Sequence, residues 1–264
     1  ELIKQRGNII SDANIPQINK IKNISLKRNI NLSLIFNKEK GIELISHKYL
    51  GEKQILKILF QRKKYEITLN LIGKIQIKNV LMAILAANKS GLRFKQIINV
   101  IDKIKPVQGR LEKIGAIKNN SRVILDYAHT PDALETTLMS IKEQFPKSKI
   151  ILVFGCGGER DYKKRSIMGK IAEKYSDRIY LTDDNPRNED PSTIRKDIKK
   201  GIKNIKVKEF SNRKKAIHQA IMSLNTGDLV LVAGKGHEKF QDYGGKKFFF
   251  SDQKVILKSI KQKN

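Results

Sequence analysis

The stretch Ile150-Ile151-Leu152-Val153-Phe154-Gly155-Cys156-Gly157-Gly158 decides the fold. Five apolar residues in a row, with no polar alternation, read as a strand buried on both faces. A glycine loop follows, then a helical pattern over 163–174, which completes a strand–loop–helix unit. The same rhythm continues downstream. Residues 179–181 form a strand. Asp190 caps and Pro191 opens a helix to about Ile202. Residues 207–210 form a strand, and Ser211 caps a helix reaching Leu224. Residues 229–233 are a buried strand, 248–250 an edge strand, and Ser251 or Asp252 caps a last helix. Upstream, 123–125 is a short strand, and Thr130-Pro131 starts the next helix. This βαβαβ order predicts an α/β fold with a mostly parallel, doubly wound, Rossmann-like sheet.

The first hundred residues have a different texture. Short strands are expected at 8–12 and 32–36, and a hairpin joins 55–60 to 65–69 across the polar Gln61-Arg62-Lys63-Lys64. Helices are expected at 77–87 and 94–104. Pro106 and Gly109 then punctuate the chain, which places the domain boundary there: 1–108 and 109–264.

Composition narrows the function. With 264 residues the chain is long enough for two domains with real cores, and 39% hydrophobic content argues against wholesale disorder. No apolar run approaches the roughly 20 residues of a membrane helix. Glu1-Leu2-Ile3-Lys4-Gln5-Arg6 has no apolar signal-peptide core, and a helix-like start without Met reads as a fragment lacking its amino-terminal part. A single cysteine, Cys156, excludes an internal disulfide framework and fits the cytoplasm. Net charge is +28. A nucleic-acid-binding module is one reading of that charge. However, the charge is spread evenly along a Lys-, Ile- and Asn-rich chain, there is no Trp, and no basic block alternates with aromatics. Compositional drift is the preferred account, with attraction to anionic nucleotides as a by-product.

The unusual residues gather in the loops after successive strands. They are Asp126-Tyr127-Ala128-His129-Thr130-Pro131, Gly155 to Asp161, Leu181-Thr182-Asp183-Asp184-Asn185-Pro186-Arg187 and Gly234-Lys235-Gly236-His237-Glu238. In a parallel sheet such loops converge on one edge, where ligands bind. The 181–187 run offers two carboxylates, an amide, a stiffening Pro186 and an arginine fork, a set suited to a small zwitterion. Gly155, Gly157 and Gly158 present backbone N–H groups to an anion or serve as turn glycines with positive φ. Lys235 and His237 either hold a phosphate or form a solvated turn. Cys156 with His129 and His237 suggests a cysteine nucleophile, but a buried structural thiol is the plainer alternative. Asp126, His129, Asp161, Asp183 and Asp184 match no metal-ligand spacing, and no Lys-Ser/Thr ending makes a Walker loop.

In this order, those four loops and Asp132-Ala133-Leu134 resemble the Mur ligases, in the branch that adds meso-diaminopimelate. The resemblance covers essentially the whole chain, tightly from 106 onward and more loosely over 1–72. Leu71-Ile72-Gly73-Lys74 and Asn79-Val80-Leu81-Met82-Ala83 look like the end of the family's central ATPase domain, and Gly109-Arg110-Leu111-Glu112 like its link to the C-terminal domain. The resemblance implies an ATP-dependent amide-bond ligase of peptidoglycan precursor synthesis. Its substrates would be ATP, UDP-N-acetylmuramoyl-L-alanyl-D-glutamate and meso-diaminopimelate, with Mg²⁺ required. It implies ATP contacts from Asn79, Arg110 and Asp126. It implies a diaminopimelate cradle of Arg165, Asp184, Asn185, Pro186, Arg187, Gly234 and Glu238, with support from His129, Lys235 and His237. No metal ligand is implied within this chain, and a cytoplasmic monomer is expected. Two positions depart from the family pattern: Gln76 replaces a common Asn, and Ser166 a common Pro. The phosphate loop, the Mg²⁺ ligands and a modified lysine would lie upstream of Glu1, so these 264 residues are expected to be inactive alone. Alternatives within the same chemistry are a lysine-adding Mur ligase and a folylpolyglutamate-type ligase.

Overall fold

The structure is a computed structural model that describes residues 7–205 and 207–264. The helix-like start expected at residues 1–6 lies outside the described residues. The chain forms two compact units that divide between Lys105 and Pro106.

The first unit carries β1 (Asn8–Asp12), α1 (Ile18–Lys27), β2 (Asn31–Ile35), β3 (Gly41–Leu50), β4 (Lys53–Phe60), β5 (Lys63–Leu69), α2 (Ile75–Lys89) and α3 (Phe94–Ile98). Its sheet runs β1-β2-β3-β4-β5, with β1, β2 and β3 parallel and the rest antiparallel. Ile35, Leu56, Ile58, Leu81 and Leu85 form part of the core between this sheet and the helices. Two elements, α1 and β3, were not legible in the sequence. In β3 only Ile42 is buried, so no apolar alternation marks the strand. The helix expected over 94–104 stops at Ile98, and a separate 3₁₀ turn covers Ile101–Lys103.

The second unit is the expected doubly wound sheet. Its elements are β6 (Glu112–Lys113), β7 (Arg122–Asp126), α4 (Pro131–Gln144), β8 (Ile150–Phe154), α5 (Lys163–Tyr175), β9 (Arg178–Thr182), α6 (Pro191–Lys199), β10 (Val207–Phe210), α7 (Arg213–Met222), β11 (Leu229–Ala233), β12 (Phe240–Tyr243), β13 (Lys246–Phe249) and α8 (Asp252–Lys263). The order is β10-β9-β8-β11-β7-β6, parallel throughout except for β6. All five residues of β8 and of β11 are buried, as a sheet covered on both faces requires. Val123, Leu125, Ile151, Val153, Val230 and Val232 pack with Ala216, Ile217, Ile256 and Ile260 of α7 and α8.

Local chemistry sets the helix starts. Thr130 and Asp190 cap α4 and α6, each followed by proline at the first helical position. Ser251 caps α8 through Lys254 N. Ser211 is not the cap of α7: Asn212 is, its Oδ1 accepting from Lys215 N at 3.0 Å. Phe248 and Phe249 do not extend the main sheet. They lie on β13, which pairs only with β12 in a two-stranded ribbon. That ribbon matters, because it is the wall against which the 183–187 loop is built.

Candidate active site

Four loops leave the carboxyl ends of β7, β8, β9 and β11, and hydrogen bonds join them into one edge of the second unit. Asn185 is the hub. Its Oδ1 accepts from Lys235 Nζ (2.8 Å) and from Asp242 N (3.2 Å), while its Nδ2 donates to Glu238 Oε2 (3.2 Å). Lys235 Nζ also donates to Glu238 Oε2 at 2.8 Å. Lys235 is wholly buried, so it is neither a solvated lysine nor a free phosphate hook. It is a strut that ties Asn185 to Glu238. Burial pushes the Glu238 carboxyl up, but bonds from Lys235, Asn185 and Tyr127 outweigh it and hold the group below its ordinary range. Glu238 is therefore a stable negative charge at the rim.

Arg187 sits at φ +53°, a conformation rare for a residue with a Cβ. The ribbon enforces it. Arg187 N donates to Asp242 O at 3.0 Å, and Gly244 N donates to Arg187 O at 2.7 Å. Strain held this firmly is characteristic of positions that aim a side chain. The guanidinium gives one bond to the main chain, from Nη1 to Gly158 O at 2.6 Å. No carboxylate among the described residues pairs with it, so most of the fork is open to a ligand. Asn185, Arg187, His237, Glu238, Lys239, Phe240, Asp242 and Lys247 line a concavity of about 480 Å³.

The two aspartates of the loop differ in use. Asp183 turns inward to Arg195 and to the Tyr243 hydroxyl (3.3 Å), so it is part of the scaffold. Asp184 is buried beside Gly234, whose α-carbon faces Asp184 Oδ2: a Cβ there would lie 2.8 Å from that oxygen, at a backbone φ of +115°. Burial raises the Asp184 carboxyl, against the pull of Arg213 and Lys235. Pro186 is buried, and its carbonyl abuts Gly158.

The glycines of this loop are not left-handed turn residues. Gly155, Gly157 and Gly158 all have ordinary φ. For Gly155 and Gly158 the reason is close backbone approach. A Cβ on Gly155 would lie 2.0 Å from Thr182 O, and one on Gly158 would lie 1.9 Å from Pro186 O. Gly158 N donates to Asn185 O at 2.9 Å, which closes the seam between the two loops. The cysteine alternative resolves to the structural one. Cys156 is buried with Sγ 3.6 Å from Met168 Sδ, and burial pushes its thiol up to about 12.

Arg165 stands apart from the cradle expected for it. It is 2% exposed, its Nη2 grips both Glu189 oxygens (2.9 and 2.7 Å), and its Nη1 bonds Asp197 (3.1 Å). Two carboxylates already occupy both terminal nitrogens, and only the buried Nε is without a partner. Glu189 also accepts from Glu159 N, so the pair fastens the glycine loop to the 183–189 loop.

The nucleotide candidates meet on the β7 side. Arg110 stacks over the Tyr127 ring at 4.5 Å, and His129 and His237 approach the same ring at 4.6 and 5.6 Å. Lys164 Nζ donates to His129 O at 2.8 Å. This exposed cluster of cationic and aromatic groups suits a phosphate and a ribose. Asp126 is less available. Its Oδ1 takes bonds from Ala128 N and Thr137 Oγ1, and its Oδ2 one from Leu111 N. In the first unit, Asn79 lies exposed on α2 and bonds Gln76. Among the described residues no three His, Cys, Asp or Glu side chains gather to hold a metal ion. The metal-cluster alternative for Asp126, His129, Asp161, Asp183 and Asp184 is thus unsupported.

Sequence reasoning did not single out Arg213, Gln241 or Asp252. Gln241 Nε2 donates to Asp184 O at 2.8 Å, and Arg213 is wholly buried against Asp252. Arg213 stands beside Lys214 and Lys215, where a surface helix start is the natural expectation.

Comparison with known proteins fits this geometry. Residues 109–236 match the Mur ligase, glutamate ligase domain. A UDP-N-acetylmuramoyl-L-alanyl-D-glutamate--2,6-diaminopimelate ligase from Rickettsia montanensis is 39% identical over 256 residues, covering 97% of this chain and 52% of the relative. The ligase of the same name from Wigglesworthia glossinidia brevipalpis is 43% identical over 247 residues, 92% of this chain and 49% of the relative. The chain spans about half the length of the curated relatives it matches. A solved structure of a ligase with that name aligns with a TM-score of 0.69 at 27% identity, over 97% of this chain and 53% of its own. MurF ligase from Thermotoga maritima in complex with ADP, at 16% identity and TM-score 0.68, shares the fold. With its matched domain and a kinship that runs through both units, the chain belongs to the Mur ligase family.

Proposed function

We propose that the chain is part of an ATP-dependent ligase that joins meso-diaminopimelate to UDP-N-acetylmuramoyl-L-alanyl-D-glutamate in peptidoglycan precursor synthesis. Residues 109–264 form its amino-acid-binding domain, and 1–108 the end of its central ATP-binding domain. The observation that carries the reading is the open Arg187 fork, held in a strained conformation beside ionised Glu238 and the Asn185–Lys235 strut. That set pairs a cation with an anion across one concavity, as an amino acid with charged ends of both signs requires.

Arg187 takes the distal carboxylate of diaminopimelate, a group that lysine lacks. Asp184 and Glu238 attract its ammonium groups. Asn185, Pro186 and Gly234 shape the space between them, and Lys235 keeps Asn185 and Glu238 in register. Arg165 acts through Glu189 as a positioning residue rather than by touching the ligand. Arg110, with Tyr127, His129 and His237 around it, receives a phosphate or ribose. Asp126 fixes the chain beside that point, and Asn79 meets the adenine. When bound, ATP with Mg²⁺ activates the glutamyl carboxylate by phosphorylation. Among the described residues no three His, Cys, Asp or Glu side chains gather into a site for the metal. We place this enzyme, as a monomer, in the cytoplasm. No helix among the described residues is long and apolar enough to cross a membrane.

The test is the discrimination between substrates. In a preparation that carries out ligation, Arg187→Ala raises the KM for diaminopimelate by roughly 10- to 100-fold, the effect of losing a charge-assisted hydrogen bond. The KM for ATP stays within about twofold of the parent, a difference of under 0.5 kcal/mol. Equal effects on both constants would remove Arg187 from the amino-acid pocket.

A further inference from the structure

Behind the Asp184–Arg187 loop lies a buried charge system that the reaction as described does not use. Arg213, at the first position of α7, is wholly buried. Its Nε donates to Asp252 Oδ1 at 2.8 Å and its Nη2 to Asp252 Oδ2 at 2.7 Å, while Nη2 also donates to Ala233 O at 3.0 Å. Asp252, at the start of α8, is itself 0% exposed. The third nitrogen, Nη1, has no hydrogen-bond partner. It points toward Asp184 Oδ2, 4.0 Å away, which is the other orphaned charged atom of this region. At that distance the two groups form a long ion pair without a hydrogen bond.

A buried arginine with a spare donor facing a buried carboxylate with a spare acceptor is costly unless the two charges compensate. One aspartate would have sufficed to neutralise Arg213. Here the guanidinium stands between two, pinned to the first and facing the second. Asp184 lies against Gly234 and directly precedes Asn185, which lines the concavity.

We propose that Arg213 is a positioning residue that keeps Asp184 ionised and oriented for the ammonium group of the incoming amino acid, with Asp252 as its anchor. The inference rests on the reading of this loop as an amine-binding site. The other groups that face Asp184 are Lys235 and Glu238 from the loop after β11, Asp252 from α8, Tyr127 from the loop after β7 and Cys156 from the loop after β8. Of these only Lys235 is cationic, and it is already committed to Asn185 and Glu238. Arg213, through its unpartnered Nη1, is therefore the positive charge available to the carboxylate. Burial alone favours the protonated acid, and a protonated Asp184 cannot attract an ammonium.

The sign of the test follows. Removing the Arg213 charge raises the Asp184 pKa, so amine affinity falls on the acid side of the pH profile. Removing the Asp252 charge frees Arg213 for Asp184 and lowers the Asp184 pKa. The experiment is a carboxyl ¹³C NMR titration of Asp184 in the 264-residue chain, for the parent, Arg213→Gln and Asp252→Asn. It is paired with calorimetric binding of meso-diaminopimelate from pH 5 to 8. Circular dichroism confirms folding, and Asp252→Asn decides the matter if Arg213→Gln does not fold. The expected result is an upward shift of about one pH unit for Arg213→Gln, with binding weakened by up to about tenfold on the acid side of both titrations, and a downward shift for Asp252→Asn. Arg213→Lys, which restores a charge, recovers part of the loss. A purely structural Arg213 would lower the melting temperature and leave the Asp184 titration where it was; that result in both variants overturns the proposal. A shifted titration with unchanged diaminopimelate binding would instead overturn the reading of the pocket as an amine site.

Discussion

At the scale of single residues, the site is organised by contacts too close for side chains. Gly155 and Gly158 let the loop after β8 lie directly on the loop after β9, and Gly234 lets Asp184 lie under the loop after β11. A methyl group at Gly158 would meet the Pro186 carbonyl, which is backbone and cannot swing away. Gly158→Ala is therefore expected to destabilise the chain by about 2 kcal/mol or more, with loss of amino-acid binding. Gly157→Ala is the matched control: its nearest neighbour is the mobile tip of Arg187 at 3.0 Å, so its cost in urea unfolding is clearly smaller. Equal losses for the two would mean that the seam between the loops is not set by steric fit. The glycines were visible in the sequence, and their purpose was not. A sequence shows that a residue has no Cβ but not which carbonyl occupies the space.

At the scale of elements, most of what could be read came from strong local signals. The apolar runs of β8 and β11 have no polar residue to place at a surface, and Thr130-Pro131 and Asp190-Pro191 carry both the cap and the first helical residue. Elements without such signals escaped. β3 is mostly half-buried with only Ile42 fully buried, α1 fully buries only Ser25, and the ribbon of β12 and β13 draws its importance from hydrogen bonds to the 183–187 loop, 57 residues earlier in the chain. Arg213 escaped for a related reason: its partners Asp184 and Asp252 are brought to it by two other elements, the loop after β9 and α8. The start of α7 links local capping to that buried pair. Asn212 accepts from Lys215 N and so sets the turn on which Arg213 enters the interior. Asn212→Ala is expected to cost about 1 kcal/mol, the usual worth of an N-cap, seen as a lower urea midpoint at unchanged slope. Ser211→Ala, one residue outside the helix, should leave the midpoint nearly unmoved. If the serine variant is the more damaging, the assignment of the cap to Asn212 is wrong.

At the scale of the whole molecule, two properties bear on activity: the charge of +28 and the division of labour along the sequence. The charge draws anions of every kind, so weak, salt-sensitive binding to RNA is expected and by itself carries no functional meaning. The division of labour is more informative. In the proposed function, the pocket with Arg187, Asn185 and Glu238 recognises the amino acid. Phosphoryl transfer needs a phosphate cradle and a metal, and catalysis of that step is mostly positioning and charge neutralisation. Nowhere in these 264 residues does a glycine loop end in Lys-Ser or Lys-Thr, and no metal-ligand cluster forms among the described residues. Recognition and chemistry should therefore separate experimentally. The 264-residue polypeptide is expected to bind meso-diaminopimelate in calorimetry and to lose that binding on Arg187→Ala. Given ATP, Mg²⁺, diaminopimelate and UDP-N-acetylmuramoyl-L-alanyl-D-glutamate, it is expected to release ADP no faster than a buffer blank. Sustained ADP release that disappears with Arg187→Ala would show that the phosphate-binding machinery is contained in these residues after all, and would overturn the assignment of residues 109–264 to amino-acid recognition alone.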